Sequence, residues 1–144
     1  MCYHMRMLIV VDTNVLIAGL RSGGGASRSI LRRCIEGRVQ PLFGTALWLE
    51  YEDVLARQIH ELDVDAADCQ AVLAALAASG QWVSVYFGWR PNLRDESDNH
   101  LVELAIAGGA ECIVTHNIKD FRRSELAWPR LRIVDPARFL EEVK

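Results

Sequence analysis

Three aspartates stand at places in the sequence where their carboxylates could act together. Asp12 directly follows an apolar run, Asp98 stands where a polar loop passes into an amphipathic segment, and Asp120 lies shortly after another apolar run. Carboxylates brought to one place repel one another, and Mg²⁺ relieves that repulsion because it prefers carboxylate oxygens and water as ligands. A cation held in this way activates water and neutralises charge on a transferring phosphate. These residues therefore indicate a metal centre for phosphate chemistry.

Glu50 is the fourth candidate, because it lies beside the apolar stripe of a predicted helix. That stripe consists of Leu47, Tyr51, Val54 and Leu55. Glu52 and Asp53 belong to the side of the helix that is expected to face solvent. A carboxylate that borders a buried stripe is costly to desolvate and requires a partner. We therefore expect Glu50, and not its acidic neighbours, to join the aspartates.

The elements that must position these acids alternate along the chain. Apolar and β-branched runs predict five strands at residues 7–11, 39–43, 81–87, 112–115 and 131–134. Helical spacing predicts helices at residues 27–36, from 45 onward, after an N-cap at Asp65, at 98–107, and after Asp135-Pro136. Strands separated by helices form parallel βαβ units. The predicted fold is α/β, with three layers (α/β/α) around a central, mostly parallel five-stranded sheet in which Trp82 is a core residue.

The predicted topology brings the acids to one edge of the sheet. In an open parallel sheet, function collects beyond the carboxyl ends of the strands. Asp12 ends the first strand, and the tripeptide from Thr115 to Asn117 follows the fourth, with Asp120 three residues later. Asp98 follows the loop after the third strand. The strand ends thus predict a shared acidic site.

Composition limits the class of protein. The chain has 144 residues, of which 51% are hydrophobic, and its formal net charge is −3. These values fit one globular domain and exclude both a disordered chain and a basic nucleic-acid coat protein. The four cysteines are far apart in sequence, so neither a zinc site nor a disulfide framework is expected. We expect them instead to be the buried thiols of a cytoplasmic protein. No apolar run approaches the roughly 20 residues of a membrane helix, so no membrane partner is expected.

The charge is unevenly distributed. Residues 21–38 carry five arginines against Glu36, a net charge of +4, and residues 119–132 carry five basic residues against two acids, a net charge of +3. Both segments follow strands that end at the acidic site, so they could contact the phosphates of a nucleic acid on either side of it. The candidate RNA-binding residues are Arg21, Arg28, Arg32, Arg122 and Arg123.

Several motifs resemble those of PIN-domain nucleases. They are LIVVDTNVL at residues 8–16, EYEDVLAR at 50–57, DESDNHLVELA at 95–105, GGA at 108–110, IVT at 113–115 and KDF at 119–121. They are most similar to the VapC-like toxin ribonucleases of toxin–antitoxin pairs. The resemblance implies a single PIN-like nuclease domain over residues 7–144, preceded by a ragged extension at 1–6. It also implies an RNA substrate, a cognate antitoxin and a homodimer.

The resemblance also assigns roles to residues. It implies that Asp12, Glu50 and Asp98 hold Mg²⁺ or Mn²⁺ for hydrolysis of an RNA phosphodiester, and that Asn14 and Thr115 support the site. The family's fourth acid usually follows the threonine by two positions, where this chain has Asn117. An amide is a poorer ligand for a hard cation than a carboxylate. Either Asp120 takes the place of the fourth catalytic and metal-binding residue, or the site works with three acids and a weaker second metal, and Asn117 has a supporting role in both cases.

Two alternatives stay open at the level of sequence. Asn117 fits a PIN-fold RNA-binding or adaptor module that has lost catalysis. The run DTNV at residues 12–15 also resembles the nucleophile motif of haloacid-dehalogenase-like phosphatases, in which Asp12 would be the nucleophile. The second aspartate of that motif is Asn14 here.

Overall fold

The fold was determined from a computed structural model of the chain. It describes residues 6–21, 25–62, 64–85, 96–122 and 128–143, and of residues 96–99 it describes the backbone alone. Arg123 lies outside these ranges, as do Cys2 and the end of the predicted third strand at residues 86–87.

Five parallel strands form the central sheet. They are β1 (Met7–Val11), β2 (Val39–Phe43), β3 (Gln81–Trp82), β4 (Cys112–Val114) and β5 (Arg132–Val134). Their order is β3-β2-β1-β4-β5, and every pairing is parallel. The central strand β1 contributes Ile9 and Val10, which are fully buried. This arrangement confirms the predicted fold, in which helices cover the sheet in three layers.

In the described part of the chain, six helices connect or follow the strands. They are α1 (Thr13–Leu20), α2 (Gly25–Ile35), α3 (Thr45–Gln58), α4 (Ala66–Ser79), α5 (Glu96–Gly108) and α6 (Pro136–Glu142), with short 3₁₀ turns at Ile59–Glu61 and Ile118–Phe121. The predicted caps are present, because the side chains of Asp65 and Asp135 accept hydrogen bonds from backbone N–H groups of α4 and α6. Each of these caps fixes where its helix begins. None of the helices in the described part of the chain has the length and apolar character needed to cross a bilayer.

The structure departs from the sequence-based expectation at α1. No helix was expected at residues 13–20, yet α1 begins directly after Asp12, whose carboxylate caps it by accepting from the Thr13 N–H. The apolar residues of β1 therefore pass into those of the helix without an intervening turn. Both elements are buried, so hydrophobicity alone does not mark the boundary between them.

The expectation that Trp82 is a core residue was wrong. Its side chain is 51% exposed. β3 is a two-residue edge strand that pairs with β2 alone, so one side of it has no neighbouring strand. Only part of the Trp82 ring is packed, and it contacts Phe43 and Trp48. Cys34, Cys69 and Cys112, in contrast, are buried free thiols as expected.

Candidate active site

An acidic cavity opens beyond the carboxyl ends of β1 and β4. Its volume is about 410 Å³. The polar residues that line it are Asp12, Thr13, Asn14, Arg21, Glu50, Gln58, Asn117 and Asp120. Three of the four predicted acids therefore share one cavity, together with both predicted supporting amides. We refer to it as the acidic pocket.

Asp12 is held in a fixed orientation at the base of this pocket. Its Oδ1 accepts a hydrogen bond of 2.7 Å from the Thr13 N–H, and its Oδ2 accepts from the Thr115 hydroxyl at 2.8 Å and from Asn14 Nδ2 at 3.3 Å. A carboxylate has about four acceptor positions. Three of them are occupied by protein donors, which leaves Oδ1 able to accept one further ligand.

Thr115 connects the groups around Asp12. Its hydroxyl donates to Asp12 and accepts from the Asn117 N–H at 3.0 Å and from Asn14 Nδ2 at 3.4 Å. Asn14 is further oriented by the His116 N–H, which donates to its Oδ1 at 3.2 Å. The predicted supporting residues Asn14, Thr115 and Asn117 therefore form one hydrogen-bonded network that ties the end of β1 to the end of β4.

Glu50 reaches the pocket from α3. The helix is anchored beside β1 by Tyr51, whose hydroxyl donates to the Val11 carbonyl at 2.5 Å. Glu50 Oε2 lies 3.0 Å from Nε2 of His100 on α5. The orientation of the two groups does not make this contact a hydrogen bond, and Oε2 is buried without a hydrogen-bond partner within the described residues. Such an oxygen is costly to bury unless a cation or a donor reaches it.

Burial and charge both act on Asp12. Its side chain is almost completely shielded from solvent. Burial raises the pKa of Asp12 above its usual value of 3.8, the negative charge of Glu50 raises this pKa further, and the Thr115 hydrogen bond partly offsets the rise. The ionised carboxylates of Asp12 and Glu50 therefore destabilise each other in this pocket. A bound cation would relieve that repulsion.

The remaining predicted acids are placed differently. Asp120 lies in the 3₁₀ turn after Asn117, and it is exposed where it lines the pocket. Asp98 belongs to the first turn of α5, but its side chain lies outside the described part of the structure. Among the described side chains, no three His, Cys, Asp or Glu residues come together as a group that could hold a metal ion.

The predicted RNA-binding arginines have several environments. Arg21 lines the acidic pocket and is exposed, and its Nη2 donates to the Gln58 side chain at 3.3 Å. Arg28 instead binds the C-terminal end of α1, because its guanidinium donates to the carbonyls of Gly19 at 3.0 Å and of Arg21 at 2.6 Å. It thereby fixes the backbone from which Arg21 extends. Arg32 and Arg122 are exposed.

Sequence reasoning missed three contributors to this site. Two of them are contacts between elements that are distant in the chain: His100 with Glu50, and the Tyr51 hydroxyl with β1. No local sequence pattern predicts such contacts. Gln58 is separated by two helical turns from Glu50 on α3, so the spacing of α3 could have placed both near the pocket.

Comparison with known proteins gave a match to one family model and matches to solved structures. The family model described as PIN domain matches residues 8–119. A chain in the crystal structure of VapBC2 from Rickettsia felis, bound to a DNA fragment from their promoter, is similar with a TM-score of 0.59 at 15% sequence identity, over 90% of this chain and 98% of that chain. At this identity the likeness shows the fold. No curated protein matches the chain in sequence.

Proposed function

The chain belongs to the PIN domain family, and on this premise we propose that it is a metal-dependent endoribonuclease that hydrolyses RNA phosphodiester bonds. The observation that supports the proposal is the acidic pocket beyond the carboxyl ends of parallel strands, which Asp12, Glu50 and Asp120 all line. A cavity lined by several carboxylates is suited to bind cations and, through them, phosphate.

The donors of the pocket fit Mg²⁺ or Mn²⁺. Carboxylate and amide oxygens are the ligands that these cations prefer, and Glu50 Oε2 is a buried oxygen with no hydrogen-bond partner among the described residues. The residues that would hold the cation are Asp12, Glu50, Asp98 and Asp120. When bound, it supplies an activated water and neutralises charge on the phosphate.

The side chains around the cation site position Asp12 and the substrate phosphate. Thr115 and Asn14 fix Asp12 so that its free Oδ1 acceptor position is available to a ligand. Arg21 places a guanidinium at the side of the pocket, where it can bind a phosphate oxygen of the substrate, and Gln58 orients it. Arg28 supports the reaction indirectly, since it holds the backbone of Arg21.

We extend the RNA-binding surface from the pocket along the basic segments. It includes Arg21, Arg32 and Arg122, which are exposed, together with Arg28 and with Arg123, which lies outside the described ranges. Exposed arginines bind phosphates in pairs of hydrogen bonds and position the strand without reading its sequence. Their role is to lay the RNA backbone across the acidic pocket.

Within the cell, the chain is proposed to be the toxin of a toxin–antitoxin pair. Its motifs resemble VapC-like toxins, and it shares its fold with a chain of VapBC2. The proposal includes a cognate antitoxin, a homodimer, a cytoplasmic location and one nuclease domain at residues 7–144 after a short extension. We do not extend the proposal to the phosphatase alternative, because the likeness behind it covers residues 12–15, whereas the PIN domain model matches residues 8–119.

RNA cleavage by matched variants tests the proposed activity. Asp12→Asn and Glu50→Gln should each abolish cleavage and remain folded, and a chelator should abolish cleavage by the wild type. Glu52→Gln is the matched control, because it removes an exposed carboxylate of the same helix and should cleave like the wild type. Full activity in Asp12→Asn, or in the presence of chelator, would exclude the proposed mechanism.

The same assay separates the nuclease from the adaptor module that Asn117 suggests. If the chain is an adaptor, the wild type should bind RNA and leave it intact with every divalent cation. The Asp12→Asn variant should then bind RNA as tightly as the wild type does.

A further inference from the structure

A second cavity adjoins the acidic pocket where His100 contacts Glu50. Its volume is about 460 Å³, and it is lined by residues 44–47 at the start of α3, by residues 82–85, and by His100, Glu103 and Leu104 of α5. Glu50 lines the acidic pocket and His100 lines the second cavity, and their side chains lie 3.0 Å apart. We refer to the second cavity as the lateral pocket. The two cavities are therefore neighbours on either side of this contact.

A buried carboxylate without a protein partner lines the lateral pocket. Glu103 is only 5% exposed, and it forms no hydrogen bond or ion pair within the described part of the chain. His100, one turn earlier on the same face of α5, also has a buried ring nitrogen, Nδ1, with no described partner. Because Glu103 lines the cavity, its carboxylate can accept hydrogen bonds from a ligand that enters there. The pocket is therefore built to receive a group that donates hydrogen bonds.

Apart from Thr45 and Ser84, the other walls of the lateral pocket are apolar and include an aromatic ring. Leu47, Val83 and Leu104 contribute aliphatic surface, and Trp82 contributes an indole that is half exposed. That indole is held in place by Trp48, with ring centroids 5.3 Å apart. A fixed, exposed aromatic ring is a platform on which a flat ligand can stack. The pocket thus combines a stacking surface with a hydrogen-bond acceptor.

We propose that the lateral pocket binds a nucleobase of the RNA strand, next to the phosphodiester in the acidic pocket, and that Glu103 reads it. This inference rests on the proposed nuclease function for the identity of the neighbouring phosphate. A base is flat and can stack on the Trp82 ring, and it carries donors at its edge that can reach the carboxylate. A short sugar link joins it to the phosphate, which suits the closeness of the two cavities. A basic side chain of a protein partner would satisfy the carboxylate alone.

The chemistry of Glu103 predicts which bases are accepted. A carboxylate only accepts hydrogen bonds, so it pairs with the amino group of cytosine, adenine or guanine. In the proposed arrangement, Glu103 lies opposite the 4-position of a pyrimidine and not opposite the N3–H donor of uracil. At the 4-position uracil presents a carbonyl oxygen where cytosine presents its amino group, and this oxygen would face the carboxylate unfavourably. The lateral pocket should therefore discriminate against uracil.

Binding of uncleavable RNA tests the inference without requiring catalysis. Short 2′-O-methyl oligomers of cytidine and of uridine are titrated in chelator, and fluorescence anisotropy gives the ratio of their affinities. The wild type should prefer the cytidine oligomer by about tenfold. Glu103→Gln should bring this ratio close to one, because an amide can also donate to the uracil oxygen. Glu52→Gln should keep the wild-type ratio.

A second variant tests the stacking surface. Trp82→Ala should weaken binding of both oligomers by about tenfold, whereas Leu49→Ala, which removes a leucine that is 59% exposed on α3, should leave both affinities unchanged. Thermal unfolding shows that each variant is folded. Equal cytidine-to-uridine ratios in the wild type, Glu103→Gln and Glu52→Gln would overturn the inference, even if Glu103→Gln weakened binding to a protein partner.

Cleavage of a randomised RNA distinguishes this inference from the proposed function. The wild type should cut where an amino-bearing base stands at one fixed position beside the cut, and Glu103→Gln should cut at uracil as well. If no RNA is cleaved but the cytidine preference depends on Glu103, the nuclease proposal fails and the base-binding pocket stands. If RNA is cleaved with the same base profile by both proteins, the pocket assignment is wrong and the nuclease proposal stands.

Discussion

Replacing Thr115 by valine removes one hydroxyl group and leaves the shape of the side chain nearly unchanged. Thr115 is fully buried. Its hydroxyl donates to the Asp12 carboxylate at 2.8 Å and accepts from the Asn117 N–H at 3.0 Å and from Asn14 Nδ2 at 3.4 Å. In Thr115→Val all three contacts are lost at once, and the Asp12 carboxylate loses one of its three protein donors.

The size of the effect follows from these contacts. A hydrogen bond to a charged group contributes about 1.5–3 kcal/mol and a neutral one about 0.5–1.5 kcal/mol. The bond to Asp12 and the bond from Asn117 together predict a loss of about 3 kcal/mol, while the long contact to Asn14 adds little. For a domain of this size, that loss lowers the Tm by about 6–12 °C.

Urea and thermal unfolding of the metal-free protein measure this loss, with Thr115→Ser as the matched control. Serine keeps the hydroxyl and removes only a methyl group, which costs about 1 kcal/mol. We expect Thr115→Val to be clearly less stable than Thr115→Ser and to cleave RNA more slowly. If the valine variant is as stable as the serine variant, the hydroxyl does not organise the site and the reasoning is refuted.

Three further perturbations follow from the structure. Because the pKa of Asp12 is raised above 3.8, the folded protein holds this proton more tightly than the unfolded chain does. Between pH 3.8 and the raised pKa, the contribution of Asp12 to the free energy of unfolding should therefore fall as pH rises. Urea unfolding of the metal-free protein across pH measures this slope, and the Asp12→Asn variant should lack it. In Gly80→Ala, the added methyl group would overlap the ring of Phe43, so unfolding should show a loss of about 1–3 kcal/mol; an unchanged Tm would contradict this packing. Arg28→Met removes the hydrogen bond to the Gly19 carbonyl and should lower stability by about 1 kcal/mol and weaken RNA binding; unchanged stability would mean that Arg28 does not cap α1.

The sequence predicted those features of the fold that local patterns determine. The β-branched runs located all five strands, although the third was predicted to continue to residue 87 and β3 ends at Trp82, with residues 83–85 outside any strand. The acids at positions 65 and 135 located two helix starts, because a cap is a local signal. Helix α1 was missed because it begins one residue after a buried strand, with no polar turn between them. Trp82 was misplaced because a run of residues does not reveal that its strand lies at the edge of the sheet.

The acidic site was predictable in part for the same reason. Asp12 and Asp120 follow strand ends, and Glu50 borders an apolar stripe, so topology and periodicity together predicted the pocket that they share. The partners of these acids were not predictable. His100 meets Glu50 only because α3 and α5 pack together, and the position of Glu103 in the lateral pocket depends on the same packing.

Calorimetric titration of the metal-free protein with Mn²⁺ tests the central claim most directly. The claim is that Asp12 and Glu50 are held together in order to bind a divalent cation. We expect saturable binding by the wild type and by Glu52→Gln, and a matching rise in Tm of roughly 5–10 °C at a cation concentration of about 100 times the Kd. Asp12→Asn should show neither the heat of binding nor the rise in Tm. Saturable binding that is unchanged in Asp12→Asn, or its absence in the wild type, would contradict the claim.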